Sequence, residues 1–202
     1  MTAPSPRQRP QRQGIVDQPS NGTALLILDM MSRWDFPDGD RLVRSALRVA
    51  PAIATLANRC RERGVPVIYA NDNSGQWRSD FKFVVRQALE SAGPGARIAQ
   101  LLEPRDEDYL VLKPKHSAFF ATPLELLLDH LQVRRLIVTG TTTDQCVAGT
   151  VVDARMRDFH VVVPEDCVAT LGAPRNRRAL QHFHEVLRIP TTPAGHLRVD
   201  RD

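Results

Sequence analysis

"RRLIVTGTTTDQCVAGTVVDARMRDFHVVV", residues 134–163, carries two short apolar runs separated by a stretch of helical length. The runs at 135–139 and 160–163 are continuous and rich in Val and Ile, the pattern of a strand buried on both faces. The segment between them, from about 144 to 157, is long enough for a helix. Strand, helix and strand in that order make a parallel pair joined by a crossover. A single cysteine, Cys146, stands where the first strand gives way to the helix.

The same alternation continues on the N-terminal side. "TALLILDMM" contains the apolar run Ala24 to Leu28, and residues 41–63 show apolar positions at helical spacing, with Gly64 as a stop signal. A strand is expected at 65–70, a helix over "FKFVVRQALES", and a strand at 108–112. The next helix, 123–132, reads as a capping box with Thr122 as N-cap, Pro123 at the first helical position and Glu125 at the third. A helix at about 174–187 closes the chain. The sum is an α/β fold, three layers deep, with a mostly parallel sheet and helices on both faces, in one domain spanning residues 21–202. Residues 1–20 are rich in Pro, Gln, Ser and Arg without periodicity, and read as a disordered arm.

Bulk properties narrow the function classes. A chain of 202 residues with 42% hydrophobic and 25% charged residues suits a globular domain with a sizeable core. No apolar stretch approaches the ~20 residues of a membrane helix, and the N-terminal segment lacks the apolar centre of a secretory signal. Three cysteines (Cys60, Cys146, Cys167) without a C-x-x-C pair speak against a disulfide framework or a zinc site, and suit a reducing, cytoplasmic setting. The net charge of +4 comes from scattered arginines with no stacking aromatics between them, so neither nucleic acid nor membrane is expected as a partner.

In an open parallel sheet, ligands bind just beyond the carboxyl ends of the strands. Asp29, Lys113 and Cys146 each fall at such an end, with "NDNSGQW" (71–77) at a fourth. Each residue taken alone reads more simply: a loop aspartate, a solvated lysine with Lys115 as its rival, a packing thiol. Together they supply acyl-transfer chemistry. A thiol of ordinary pKa, ~8.5, is a poor nucleophile unless its anion is stabilised, and a helix start and an ammonium would both do so. A carboxylate can take the thiol proton and return it to a leaving amine. Backbone N–H groups of the Thr-rich turn could hold the oxyanion. No histidine is read as lying beside these positions, which leaves the aspartate as the base.

With these residues in view, the chain resembles the isochorismatase-like cysteine hydrolases, a family that includes nicotinamidases and N-carbamoyl amide hydrolases. The resemblance rests on "ALLILDMMSRWDF", "VLKPKHSAFFATPLELLL", "LIVTGTTTDQCVAGTVVDA" and "VVVPEDCVAT", the last ending its strand at Asp166. It implies a sheet of about six strands, catalytic Asp29, Lys113 and Cys146, with Lys113 preferred over Lys115, and a cis peptide bond between Thr141 and Thr142. It further implies oxyanion donors at the backbone N–H of Thr142 and Cys146, and a homodimer or homotetramer. Trp34, Phe36, Asn71, Trp77 and Phe119 are the expected pocket wall.

Departures from the family pattern shape the expected subclass. Ser74 stands where nicotinamidases carry the first metal histidine, so no metal and no other cofactor is expected. Arg33 replaces an acid, and the cysteine argues for an amide or carbamoyl substrate. His182 and His184, two apart on a helix, point to different faces and read as surface residues; Cys60 and Cys167 read as packing thiols. Two alternatives stay open: a family member that hydrolyses an ether or ester bond, and a non-catalytic ligand-binding or assembly protein on the same scaffold.

Overall fold

A computed structural model describes residues 22–199, so the arm expected over residues 1–20 lies outside the described residues. The first apolar run forms β1 (Thr23–Leu28), with every residue buried. It is followed by α1 (Gly39–Glu62), β2 (Val67–Asp72), α2 (Phe81–Leu89), α3 (Pro94–Leu101) and β3 (Tyr109–Lys113). The second half runs α4 (Leu124–His130), β4 (Arg135–Thr141), a π-turn (Thr143–Val147), α5 (Ala148–Met156) and β5 (His160–Val162). A 3-10 turn (Glu165–Cys167), β6 (Val168–Ala169), α6 (Ala173–Glu185) and a last 3-10 turn (Ala194–His196) complete the order.

All strand pairs are parallel, in the order β3-β2-β1-β4-β5, with the short β6 pairing the far end of β4. Strand order reverses direction between β1 and β4, which opens a crevice at their carboxyl ends. Strand periodicity divides the core in two. Leu25 and Ile27 face α1, α2 and α3, whereas Ala24, Leu26 and Leu28 face α4, α5 and α6. The three-layer α/β expectation therefore holds.

Several boundaries differ from the sequence reading for local reasons. The second strand starts at Val67 rather than 65, because the N–H of Val65 still bonds Cys60 at the end of α1 and Pro66 has no N–H to give the ladder. The capping box at 122–125 does not form. Helix α4 begins at Leu124, the Thr122 hydroxyl accepts the Leu124 N–H at 3.2 Å, and Glu125 turns outward to Arg157. Helix α3 was hidden by its Gly93-Pro94-Gly95 start, although a proline at the first helical position is a helix signal. Gly95 is needed there, since a Cβ would stand 2.7 Å from the Trp34 ring.

Candidate active site

Asp29 leaves β1 in the left-handed region, at φ 52. Neighbouring strands hold it in this uncommon conformation. Its N–H donates to Ala70 O (3.1 Å), its carbonyl accepts the Thr141 hydroxyl (3.0 Å), and its Oδ1 accepts the Asp72 N–H (2.6 Å). Beside it, β4 approaches the end of β1 so closely that a Cβ on Gly140 would lie 2.1 Å from Leu28 O, and Gly140 itself has φ 105. Only glycine fits that crossing. Asp29 Oδ2 pairs with Lys113 Nζ at 2.8 Å, and the carboxyl also faces the Cys146 thiol.

Lys113 ends β3 and is completely buried. Its Nζ reaches across the end of β2 to Asp29, lies 3.6 Å from Asp72 Oδ2 and 3.6 Å from Cys146 Sγ, and donates to Lys115 O at 3.2 Å. Burial works against the ammonium, but the surrounding Asp29, Cys146 and Asp72 outweigh it and raise the lysine pKa. For Asp29 the balance goes the other way: burial pushes the carboxyl up more than Lys113 pulls it down. A carboxyl raised in this way is suited to carrying a proton in both directions.

Cys146 lies in the π-turn between β4 and α5. The bond Thr141–Thr142 is cis, and the Thr142 carbonyl then accepts the N–H groups of Gln145 and Val147, both at 3.1 Å. Helix α6 grips the turn from outside. Asp144 accepts the Thr170 hydroxyl at 2.6 Å and the Arg175 Nε–H, and the Thr143 hydroxyl donates to Asn176 Oδ1 at 2.5 Å. The sequence singled out none of these clamps, because Thr170, Arg175 and Asn176 follow the turn by more than twenty residues.

The expectation of a stabilised thiolate does not survive the geometry. Burial first, and Asp29 second, push the Cys146 thiol up to about 12, against the pull of Lys113. Cys60 is pushed up by burial to about 12 as well, and Cys167 higher still. A thiol raised in this way calls for a nearby base to take its proton as it attacks.

One histidine does lie beside the thiol, contrary to the sequence reading. His116 Nδ1 stands 3.5 Å from Cys146 Sγ. The loop after β3 curls over the sulfur, pinned by Lys113 Nζ on Lys115 O and by the Ala118 N–H on the Thr150 hydroxyl (3.0 Å). Sequence spacing carries no trace of that curl.

The residues expected in the pocket wall are placed as follows. Phe119 packs into the core against Phe159, with ring centroids 5.8 Å apart and Arg157 stacked over it. Asn71 is buried and clamps the loop after β1, accepting the Met31 N–H at 3.1 Å and donating to Met31 O at 2.7 Å. Trp34 is buried against Gly95 and tilts toward Phe36 at 6.2 Å. Trp77 is 78% exposed and lines a cavity of about 650 Å³ along residues 75–86, which includes none of Asp29, Lys113 and Cys146. Arg33 is engaged at the surface by Asp35 (3.2 Å) and Gln87 (2.9 Å). Ser74 donates its N–H to Asp72 at 2.7 Å. His182 and His184 are exposed on α6. Among the described residues no group of three His, Cys, Asp or Glu side chains could hold a metal ion, and no helix is long and apolar enough to cross a membrane.

A carboxyl, an ammonium and a thiol thus meet at the carboxyl ends of β1, β3 and β4, and the isochorismatase domain family matches residues 23–194. The chain belongs to the isochorismatase family. It shares 37% identity over 164 residues with the uncharacterized isochorismatase family protein YaaI of Bacillus subtilis, covering 81% of this chain and 90% of that one. It is 27% identical over 157 residues to the N-carbamoylsarcosine amidase of an Arthrobacter species, across 73% of this chain and 60% of that protein. The solved isochorismatase family protein from Desulfovibrio vulgaris superposes with a TM-score of 0.70 at 27% identity, covering 86% of this chain and 95% of that chain. The protein is an isochorismatase-family hydrolase, and the sheet of six strands is that of its structural neighbours.

Proposed function

We propose that this hydrolase cleaves a small amide or carbamoyl group through a covalent thioester on Cys146. The observation that carries the reading is the meeting of Lys113 Nζ with Asp29 Oδ2 at 2.8 Å and with Cys146 Sγ at 3.6 Å. The similarity to an N-carbamoylsarcosine amidase supports the choice of an amide. In the first half-reaction Asp29 Oδ2 accepts the thiol proton as the sulfur bonds to the carbonyl carbon. The carbonyl electron pair moves to oxygen, where the backbone N–H groups of Thr142 and Cys146 receive it. When the pair returns, the C–N bond breaks and the leaving nitrogen takes the proton from Asp29. Lys113 keeps the carboxylate aimed at the sulfur and balances the charge that develops there. Water then releases the acid and restores the thiol.

Ammonia release from a panel of small primary amides and N-carbamoyl amino acids tests this reading. Cys146→Ala is expected to abolish turnover of every active amide, and intact-protein mass spectrometry to find the acyl group on Cys146 of the parent enzyme. Undiminished turnover in Cys146→Ala would remove the thiol mechanism. Turnover of esters or vinyl ethers with no amide active would move the protein to a non-amide reaction.

A further inference from the structure

Lys113 and Asp29, the two partners of the thiol in the proposed mechanism, come to it from the sheet interior. Lys113 is completely buried and the Asp29 side chain is 16% exposed, with its Oδ1 already taken by the Asp72 N–H. His116 also reaches the sulfur: the residue is exposed while its Nδ1 stands 3.5 Å from Sγ. This position is built into the loop. The residue before His116 is tied to Lys113 through its carbonyl, and Ala118 is tied to the buried Thr150 hydroxyl. Between these ties the loop lies on the first turn of α5, where a Cβ on Gly149 would stand 3.7 Å from His116 Cβ and 3.6 Å from Ser117 N.

A thioester carbonyl carbon is one bond from the sulfur, so a base in contact with Sγ reaches it through one water. Of Asp29, Lys113 and His116, the histidine is the exposed one, and so the one that meets bulk water. We propose that His116 is the catalytic base of the second half-reaction, activating the water that hydrolyses the Cys146 thioester. This rests on the cysteine-hydrolase reading above. One O–H proton of water passes to the imidazole nitrogen as the water oxygen bonds to the carbonyl carbon and the carbonyl pair moves to oxygen. When that pair returns, the C–S bond breaks with its electrons on sulfur. The imidazolium then gives the sulfur its proton. The acid departs, and the neutral thiol and imidazole are restored. The two half-reactions thereby use different proton carriers: Asp29 for the departing nitrogen, His116 for the incoming water.

The test is acetylation by p-nitrophenyl acetate, a probe that needs no knowledge of the natural substrate. Wild type should show a burst of p-nitrophenolate from acylation followed by steady turnover from deacylation. In His116→Asn the burst should keep its amplitude and its rate within about twofold, while the steady phase falls ~10²-fold, the scale of a lost general base. The acetyl group should then persist on Cys146 by intact mass, and added imidazole should hasten its loss. A retained burst reports a folded site, so a merely structural effect of the substitution is separated from a slow second step. An unchanged steady phase in His116→Asn overturns the role of His116 alone. Equal slowing of burst and steady phase also overturns it, by moving the histidine to the first step. Absence in wild type of any p-nitrophenolate release, burst or steady, beyond that of Cys146→Ala would instead sink the cysteine-hydrolase reading itself.

Discussion

Cys146 and Cys167 occupy closely matched settings. "TDQCV" (143–147) and "EDCV" (165–168) each follow a strand of the same sheet, each set the cysteine in a tight turn, and each carry an aspartate just ahead and a valine just behind. Burial pushes both thiols up. Yet Cys167 is wholly enclosed in the core beside α1, and its neighbour Asp166 is itself engaged by the Ala194 N–H at 2.8 Å. Cys146 instead faces Lys113 from β3 and His116 from the loop beyond it. Neither the local motif nor the charge state of the thiol separates a packing cysteine from a reactive one. Groups delivered by other strands do.

If that is right, removing those groups should make Cys146 as inert as Cys167. The largest effect is expected from Lys113→Met. It leaves the Asp29 carboxylate without its buried partner, and should lower turnover more than ~10³-fold, because the carboxylate loses its aim and the sulfur its neighbouring positive charge. Urea unfolding should show a loss of about 3–5 kcal/mol, the scale for breaking a buried ion pair from one side. Turnover within tenfold of wild type would mean that the cross-sheet partner is not what distinguishes the two thiols.

A smaller effect is expected from Asp144→Asn, which weakens the grip of Arg175 and Thr170 on the π-turn without touching the thiol. A nucleophile displaced by a fraction of an ångström should lower kcat by on the order of tenfold to 10²-fold. Because Arg175 is partly exposed, the stability loss should be only about 1 kcal/mol. Steady-state kinetics alongside urea unfolding would separate the two, and a fall in stability without a fall in kcat would show that the turn needs no external clamp.

The smallest effect concerns pH. The folded Cys146 thiol lies at about 12 against an ordinary 9.0, so the folded chain binds that proton more tightly than the unfolded chain. Its contribution to stability is complete below pH 9.0, and is lost as pH rises from there toward about 12. Cys146→Ala should therefore flatten part of the decline in unfolding free energy measured across that window. Cys167→Ala should flatten it too, since both thiols are protonated by burial. Selective alkylation should nevertheless favour Cys146, because it alone of the three cysteines is reachable. Equal labelling of Cys146 and Cys167 in the folded protein would erase the distinction.

How far the chain could be read in advance follows from the range of the forces involved. The alternation of solid apolar runs with helical spacing is a local property, and it was enough for the parallel three-layer fold and for the strand ends on which Asp29, Lys113 and Cys146 stand. The halting start of α3 defeated the same logic, because Gly93 takes a positive φ of 68 just ahead of the helix and Gly95 serves the close approach of Trp34. The packing of Phe119 and Asn71 was not legible for a related reason. An aromatic or an amide near a strand end can face a ligand or the interior, and only Phe159 and Met31, brought from elsewhere in the chain, decide which.

The sequence by itself therefore determined the architecture and the rim on which a carboxyl, an ammonium and a thiol gather, since strand periodicity and order place residues at one edge without further information. Only the tertiary structure decided what those groups are to one another. It raises the thiol pKa through burial, pairs Asp29 with the buried Lys113, and brings His116 to 3.5 Å from the sulfur. Desolvation and contacts across thirty residues of chain are properties of the packed molecule, and no local pattern encodes them.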